Sequence, residues 1–410
     1  MDKYIITMLG EKDHGKSTLI GNLLISTGNT TEARIAEVKK TSKSKRFEPA
    51  HILDSFSEER DQEMTIDTTR AELVYKKAIL ELIDVPGHLE LIKNMMSGAS
   101  NSDIAILMVS VKPGEGFRPQ TKRHIFLSSM FGIKALVVAI NKMDSANYDK
   151  DTFDKAKSEV SEYLKSIGFG KPTVCVPISA YNNENLVSLS KNMPWYRGKP
   201  LLDVVREFAE RHSDSRHSKK GLRIFVQDST GMGDGTVFGV LYNGRAKVGD
   251  RVRVEPDDVA AGIRQLYVKG KKVRSAKEGT NVAIAFDRQV SMEKGSVIYG
   301  KGDAPHRKGR FAAKMFIISR LDTASAKGLT VKISNHNLLL KGLKIKSVLS
   351  PISGKENSKN IPKSIDANNV VYAEVSLDKP YPVERYADYS ELGRFAIYDK
   401  GDFIGVGVVE

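Results

Sequence analysis

The chain has 410 residues, of which 40% are hydrophobic and 28% charged, and its formal net charge is +14 at pH 7. That length exceeds one typical core, so two or three domains are expected. A single cysteine, Cys175, excludes an internal disulfide and suits a reducing cytoplasm, and no apolar run nears the ~18 residues of a membrane span.

Tyr4 to Leu9 (YIITML) reads as a buried strand, and the next nine residues are GEKDHGKST. Gly10, Gly15, Lys16 and Ser17 fit the spacing G-x-x-x-x-G-K-[ST] of a phosphate-binding loop. A triphosphate needs backbone N–H groups converging on its oxygens, and glycines let the main chain come that close. Asp13, His14 and Thr18 belong to the same cradle. Lys16 would reach the β- and γ-phosphates, a catalytic as well as a binding role, and Ser17 would offer its hydroxyl to Mg²⁺. Ser17 to Leu24 reads as a helix whose free N–H groups and positive dipole end favour an anion.

Further strands are expected at 79–85, 104–111, 135–140 and 173–178, separated by helical stretches such as 151–167 with 3.6-residue periodicity. The alternation predicts an α/β domain with a doubly wound, mostly parallel sheet. The ends of these strands carry the remaining motifs. DVPGH (84–88) fits D-x-x-G, with Asp84 holding Mg²⁺ through water and the Gly87 N–H meeting a γ-phosphate. In NKMD (141–144) the Asp144 carboxylate can accept from guanine N1–H and N2–H₂ together, which adenine cannot supply. Asn141 would add polar contacts, and Lys142 would lay its aliphatic stem along the base. After the next strand, Ser179 and Ala180 of SAYN (179–182) would direct backbone N–H groups at guanine O6. The ligand implied is GTP or GDP with Mg²⁺.

SDSRHSKKG (213–221) is a polar linker. Beyond it come short strands split by glycine turns, as in 235–256, which read as a β-barrel, and a second all-β stretch runs from about Asp303 to the end. The expected domains are therefore 1–212, 222–302 and 303–410. Up to His212 there are 30 Lys and Arg against 28 Asp and Glu; after it there are 34 against 22, a net of +12. Clusters such as KGKKVR (269–274) and HRKGR (306–310) mark a surface for nucleic acid.

The chain resembles the translation-factor GTPase superfamily of elongation factor Tu and elongation factor 1-alpha. The resemblance rests on GEKDHGKST, FSEERDQEMTID (56–67), DVPGHLELIKNMMSGAS (84–100), NKMD, MPWYRGKPLL (193–202) and LGRFAIYDKGDFIGVGVV (392–409). It implies a P-loop G domain followed by two β-barrels, and a GTP/GDP switch whose loops order around the γ-phosphate. By motif match, Thr65 would close on Mg²⁺ and the γ-phosphate, and His88 would position the attacking water. It also implies tRNA or the ribosome as an RNA partner of the second and third domains, an exchange factor, no membrane, and a monomer when free.

Departures from the family pattern are visible. Lys12 stands where relatives commonly have valine, Gln62 to Ile66 (QEMTI) replaces R-G-[IV]-T-I, and GVLYNG (239–244) replaces a turn with arginine and glutamate. Lys12 and Glu63 carry opposite charges and are expected to pair when the 56–67 segment closes. QTKRHIFLSSMFGI (120–133) and AIAFDRQVSMEKGSV (283–297) also resemble the GTPase subunit of bacterial sulfate adenylyltransferase. That alternative implies a sulfurylase catalytic subunit as partner.

Overall fold

In the computed structural model the described residues are 1–41, 48–52, 69–84, 92, 104–213, 221–229, 236–290, 292–300, 302–323, 326–334, 336–357 and 361–410. Thr65, Gly87 and His88 lie outside them, as does Glu63, the expected partner of Lys12. The described residues fall into two compact units, one of residues 1–214 and 349–356, the other of residues 215–348 and 357–410.

The first unit is built on β1 (Asp2–Leu9), β2 (Thr69–Tyr75), β3 (Ala78–Asp84), β4 (Ile104–Ser110), β5 (Ala135–Asn141) and β6 (Thr173–Pro177), in the spatial order β2-β3-β1-β4-β5-β6. β1 pairs in parallel with β3 on one side and β4 on the other. The chain thus leaves β1 in a crevice where the strand order reverses, the place where open α/β sheets bind ligands. Every residue of β4 and β5 is buried, and their text, apolar up to the last residue of each, is that of central strands covered on both faces. β2 runs antiparallel to β3 and alternates buried with exposed, the pattern of a half-covered edge strand. The alternating text predicts the parallel strands but not this edge.

Helix α1 (Lys16–Ser26) follows the first loop, and α2 (Glu32–Thr41) comes next. α3 (Pro119–Met130) opens with proline at its first turn, where the missing N–H costs nothing. In α4 (Lys150–Ser166) the Asp149 carboxylate caps the start, accepting from the Thr152 N–H at 2.8 Å. Its buried face is Phe153, Val160, Tyr163 and Leu164, the stripe that the 3.6-residue period of 151–167 predicts. α5 (Leu201–Ser213) completes the unit.

The second unit holds two closed barrels. In the first, β7 (Arg223–Ser229), β8 (Val237–Asn243), β9 (Arg245–Lys247), β10 (Arg251–Glu255), β11 (Val259–Val268), β12 (Lys271–Val273), β13 (Ser275–Lys277), β14 (Thr280–Phe286) and β15 (Val297–Gly300) follow one another. The order β10-β15-β7-β8-β14-β11 closes because β11 also pairs with β10; β12 folds back on β11, and β9 pairs with β13. In the second barrel β16 (Arg307–Ile317), β17 (Thr330–Ile333), β18 (His336–Leu349), β19 (Val370–Pro382), β20 (Arg394–Asp399) and β21 (Asp402–Val409) close in the same way, with β17 pairing with both β18 and β20. Closure removes the exposed edges that an open all-β sheet would carry. Arg223 is almost wholly buried within this unit, 2.9 Å from the Asp303 carboxylate and 4.5 Å from the centre of the Tyr389 ring.

Candidate nucleotide site

The motif residues converge at the carboxyl ends of the strands. Gly10 follows β1, Asp84 ends β3, Asn141 ends β5, and Ser179 stands two residues beyond β6. The loop at 10–15 has positive φ at Gly10 (137°), Asp13 (71°) and Gly15 (90°). A Cβ at Gly10 would lie 2.8 Å from the Met108 carbonyl oxygen, and one at Gly15 would lie 2.5 Å from Asn141 Nδ2. Both positions therefore require glycine, for conformation and for space.

α1 begins with no side-chain cap and no acidic residue in its first turn. Its leading N–H groups and dipole end are left for an anion. Lys16 is buried and donates from Nζ to the carbonyls of Gly10 at 3.1 Å and Glu11 at 3.0 Å. An ammonium has three protons, so one donor remains for a ligand. His14 is buried too; burial lowers its pKa, and the neutral ring donates from Nδ1 to the Met108 carbonyl at 3.1 Å. Its side chain braces the loop against β4. Lys12 is exposed.

Asp84 ends β3 beside the helix start. Burial raises its pKa, while the Lys16 charge and a hydrogen bond from the Ser17 hydroxyl oppose that rise. Its Oδ1 is buried with no hydrogen-bond partner among the described residues. An unpartnered carboxylate oxygen next to a helix-terminal hydroxyl is the hard-oxygen donor set that Mg²⁺ takes, with water and phosphate oxygens completing the shell. Among the described residues no cluster of three or more His, Cys, Asp or Glu forms a metal cage.

Asn141, 2% exposed, ties three loops together. Its Nδ2 donates to the His14 carbonyl and its Oδ1 accepts from the Ala180 N–H, each at 2.8 Å. The Ala180 N–H, expected at a guanine oxygen, thus already has an intramolecular acceptor. Ser179 donates from Oγ to Asp144 Oδ1 at 2.5 Å and accepts from the Asn182 N–H at 3.2 Å. That pair of bonds fixes the face the Asp144 carboxylate presents. Lys142 adopts a left-handed backbone (φ 64°), with Nζ 2.7 Å from Glu115 Oε2.

Three contributors escape the motif reading. Asn22, on α1, donates to the carbonyls of Ala180 and Tyr181 and supports the base loop from below. Glu115 and Arg118 lie in the loop after β4, which has no motif of its own; Arg118 reaches Glu11 of the first loop at 3.8 Å. Only the position of that loop, at the carboxyl end of a central strand, would have marked it.

Residues 2–211 match the family model of the elongation factor Tu GTP binding domain, and residues 310–410 match the GTP-eEF1A C-terminal domain-like model. Elongation factor 1-alpha of Aeropyrum pernix is 33% identical, over 98% of this chain and 95% of that protein. Its counterpart from Methanothermobacter thermautotrophicus is 32% identical, over 98% and 96%. The Ski7 GTPase-like domain of S. cerevisiae, solved bound to GTP, shares the fold with a TM-score of 0.58 at 15% identity, covering 100% of this chain and 97% of that one. The comparisons give no support to the sulfate adenylyltransferase alternative.

Proposed function

The chain belongs to the translation-factor GTPase superfamily of elongation factor Tu and elongation factor 1-alpha, and from that premise we propose that it is a switch that engages an RNA partner in its GTP state. It binds GTP and GDP and hydrolyses GTP, as members of this family do. The observation that carries the site assignment is the convergence of Lys16, Asp84 and Asp144 at three strand ends, the last oriented by Ser179.

Lys16 holds the phosphates, with the N–H groups that follow Gly15. Ser17 and Asp84 would hold Mg²⁺, and the ion would supply charge neutralisation to the transferred phosphoryl group. Asp144 reads the guanine edge, with Lys142 against the base face. Thr65 and Gly87 complete the γ-phosphate contacts, and His88 orients the attacking water. Replacing His88 with alanine leaves nucleotide affinity near wild type and lowers partner-stimulated hydrolysis by ~10²-fold or more, since positioning and electrostatics dominate phosphoryl transfer. Equal stimulated single-turnover rates in both proteins would remove His88 from the mechanism.

The RNA partner, tRNA or ribosome, is supported by the family and by the first barrel. Lys247, Lys269, Lys271, Lys272, Arg274 and Lys277 are all exposed around β9, β12 and β13, and none forms an ion pair among the described residues. HRKGR is different, because Arg307 pairs with Glu255 at 3.5 Å and Arg310 with Glu374 at 3.4 Å. A row of unpaired cations suits a phosphate backbone. The free chain is a monomer in this reading, and a separate exchange factor releases GDP. No helix among the described residues is long and apolar enough to cross a membrane.

A further inference from the structure

The loop between β4 and α3, residues 111–118, carries none of the motifs that mark the site, yet it joins two of the site's loops. Its start is fixed by the Val111 N–H on the Asn141 carbonyl at 3.0 Å and the Lys112 N–H on Ser110 Oγ at 3.2 Å. Gly114 (φ 83°) and Gly116 (φ 59°) flank Glu115, whose N–H closes a turn on the Lys112 carbonyl at 3.0 Å. The turn presents the Glu115 carboxylate to Lys142 Nζ at 2.7 Å and to Lys112 Nζ at 3.5 Å. Arg118 donates from Nε to the Glu115 carbonyl at 2.8 Å while its guanidinium lies 3.8 Å from Glu11.

The Glu115–Lys142 pair is the tight member of this set. The two side chains are 18% and 23% exposed, so the pair is only partly open to screening by solvent. Burial pushes the Glu115 carboxyl up, but hydrogen bonds from Lys142 and Ser110, with the Lys142 and Lys112 charges, bring it down to about 2. It is ionised throughout the working pH range. A lysine stem has four rotatable bonds and large rotamer freedom. A base can rest on it only while the stem is extended. If an unheld Lys142 were extended about one-tenth of the time, apparent nucleotide affinity would fall about tenfold for that reason alone.

We propose that Glu115 is a positioning residue of the base site, holding Lys142 extended so that its methylenes form a fixed wall for guanine. The proposal rests on the reading of Asn141–Asp144 as the base loop. It assigns the 111–118 loop a share in nucleotide affinity and predicts coupling between two residues far apart in sequence.

The test is a double-mutant cycle read by equilibrium fluorescence titration of N-methylanthraniloyl-GDP. The proteins are wild type, Glu115→Gln, Glu115→Asp, Lys142→Met and the Glu115→Gln/Lys142→Met double variant, each with an unchanged thermal melt. Glu115→Gln should weaken affinity about tenfold, and Glu115→Asp should recover part of that loss. The double variant should be no worse than Lys142→Met alone, because nothing is left to position. Losses that multiply across the two sites, or a Glu115→Gln affinity within about twofold of wild type, would overturn the proposal while leaving the guanine reading intact. Equal wild-type affinity for the ADP derivative would overturn the guanine reading and this inference with it.

Discussion

Lys16, in the loop after β1, is 7% exposed and donates to two backbone carbonyls, whereas Lys271 and Lys272 of β12 are exposed and have no carboxylate beside them among the described residues. In the proposed reading the two regions present cations to phosphate by opposite means. Around Lys16 the geometry is fixed by the protein's own contacts: two glycines tolerate no Cβ, Asn141 holds three loops, and Ser179 orients Asp144. Around β12 there are charge and reach but no enclosure. A fixed, desolvated cation discriminates by position, and its loss cannot be made good by a neighbour. Exposed cations act together through a screened field, weakly discriminating and sensitive to salt. The comparison therefore predicts a specific nucleotide site and a salt-dependent RNA surface on one chain, each separable by substitution.

The largest effect is expected at the fixed cation. Lys16→Ala removes a buried partner of phosphate and should weaken GTP and GDP by about 10²-fold or more, the range seen when one member of a buried charge pair is deleted. Titration calorimetry checks this. An affinity within about threefold of wild type would place Lys16 with the exposed cations and erase the contrast. A smaller effect is expected at the ridge. Reversing Lys269, Lys271 and Lys272 to glutamate should weaken RNA binding about 10-fold to 10²-fold at low salt. It should also flatten the dependence of log affinity on log salt, leaving nucleotide affinity unchanged. Fluorescence anisotropy across a salt series measures both slopes, and parallel slopes would show that these lysines release no counterions.

Much of this was legible in the sequence because its signals are local. The phosphate loop, NKMD and SAYN each sit within a few residues of a strand end, and the turn geometry they need is written in their own glycines and polar side chains. The barrels announce themselves through short strands and glycine turns. What escaped depends on contacts between distant segments. The edge strand β2 is defined by antiparallel pairing with β3, and short half-apolar text does not state its partner. Glu115 meets Lys142 across 27 residues, and Asn22 reaches Ala180 across 158. Charge counting likewise gave HRKGR and KGKKVR equal weight. Only pairing in space separates them, since Arg307 and Arg310 already face carboxylates while the lysines of β12 do not.

The central claim is that Asp144, held by Ser179, reads a guanine base. Asp144→Asn tests it most directly, because the amide donates where the carboxylate accepts, and xanthine carries an acceptor at C2 where guanine carries an amino donor. Competition of GTP and xanthosine triphosphate against N-methylanthraniloyl-GDP on wild type, and against its xanthosine counterpart on the variant, gives both preferences. The account predicts that wild type favours GTP and that Asp144→Asn loses GTP and gains xanthosine triphosphate. Undiminished GTP affinity in the variant would contradict the assignment of the base site.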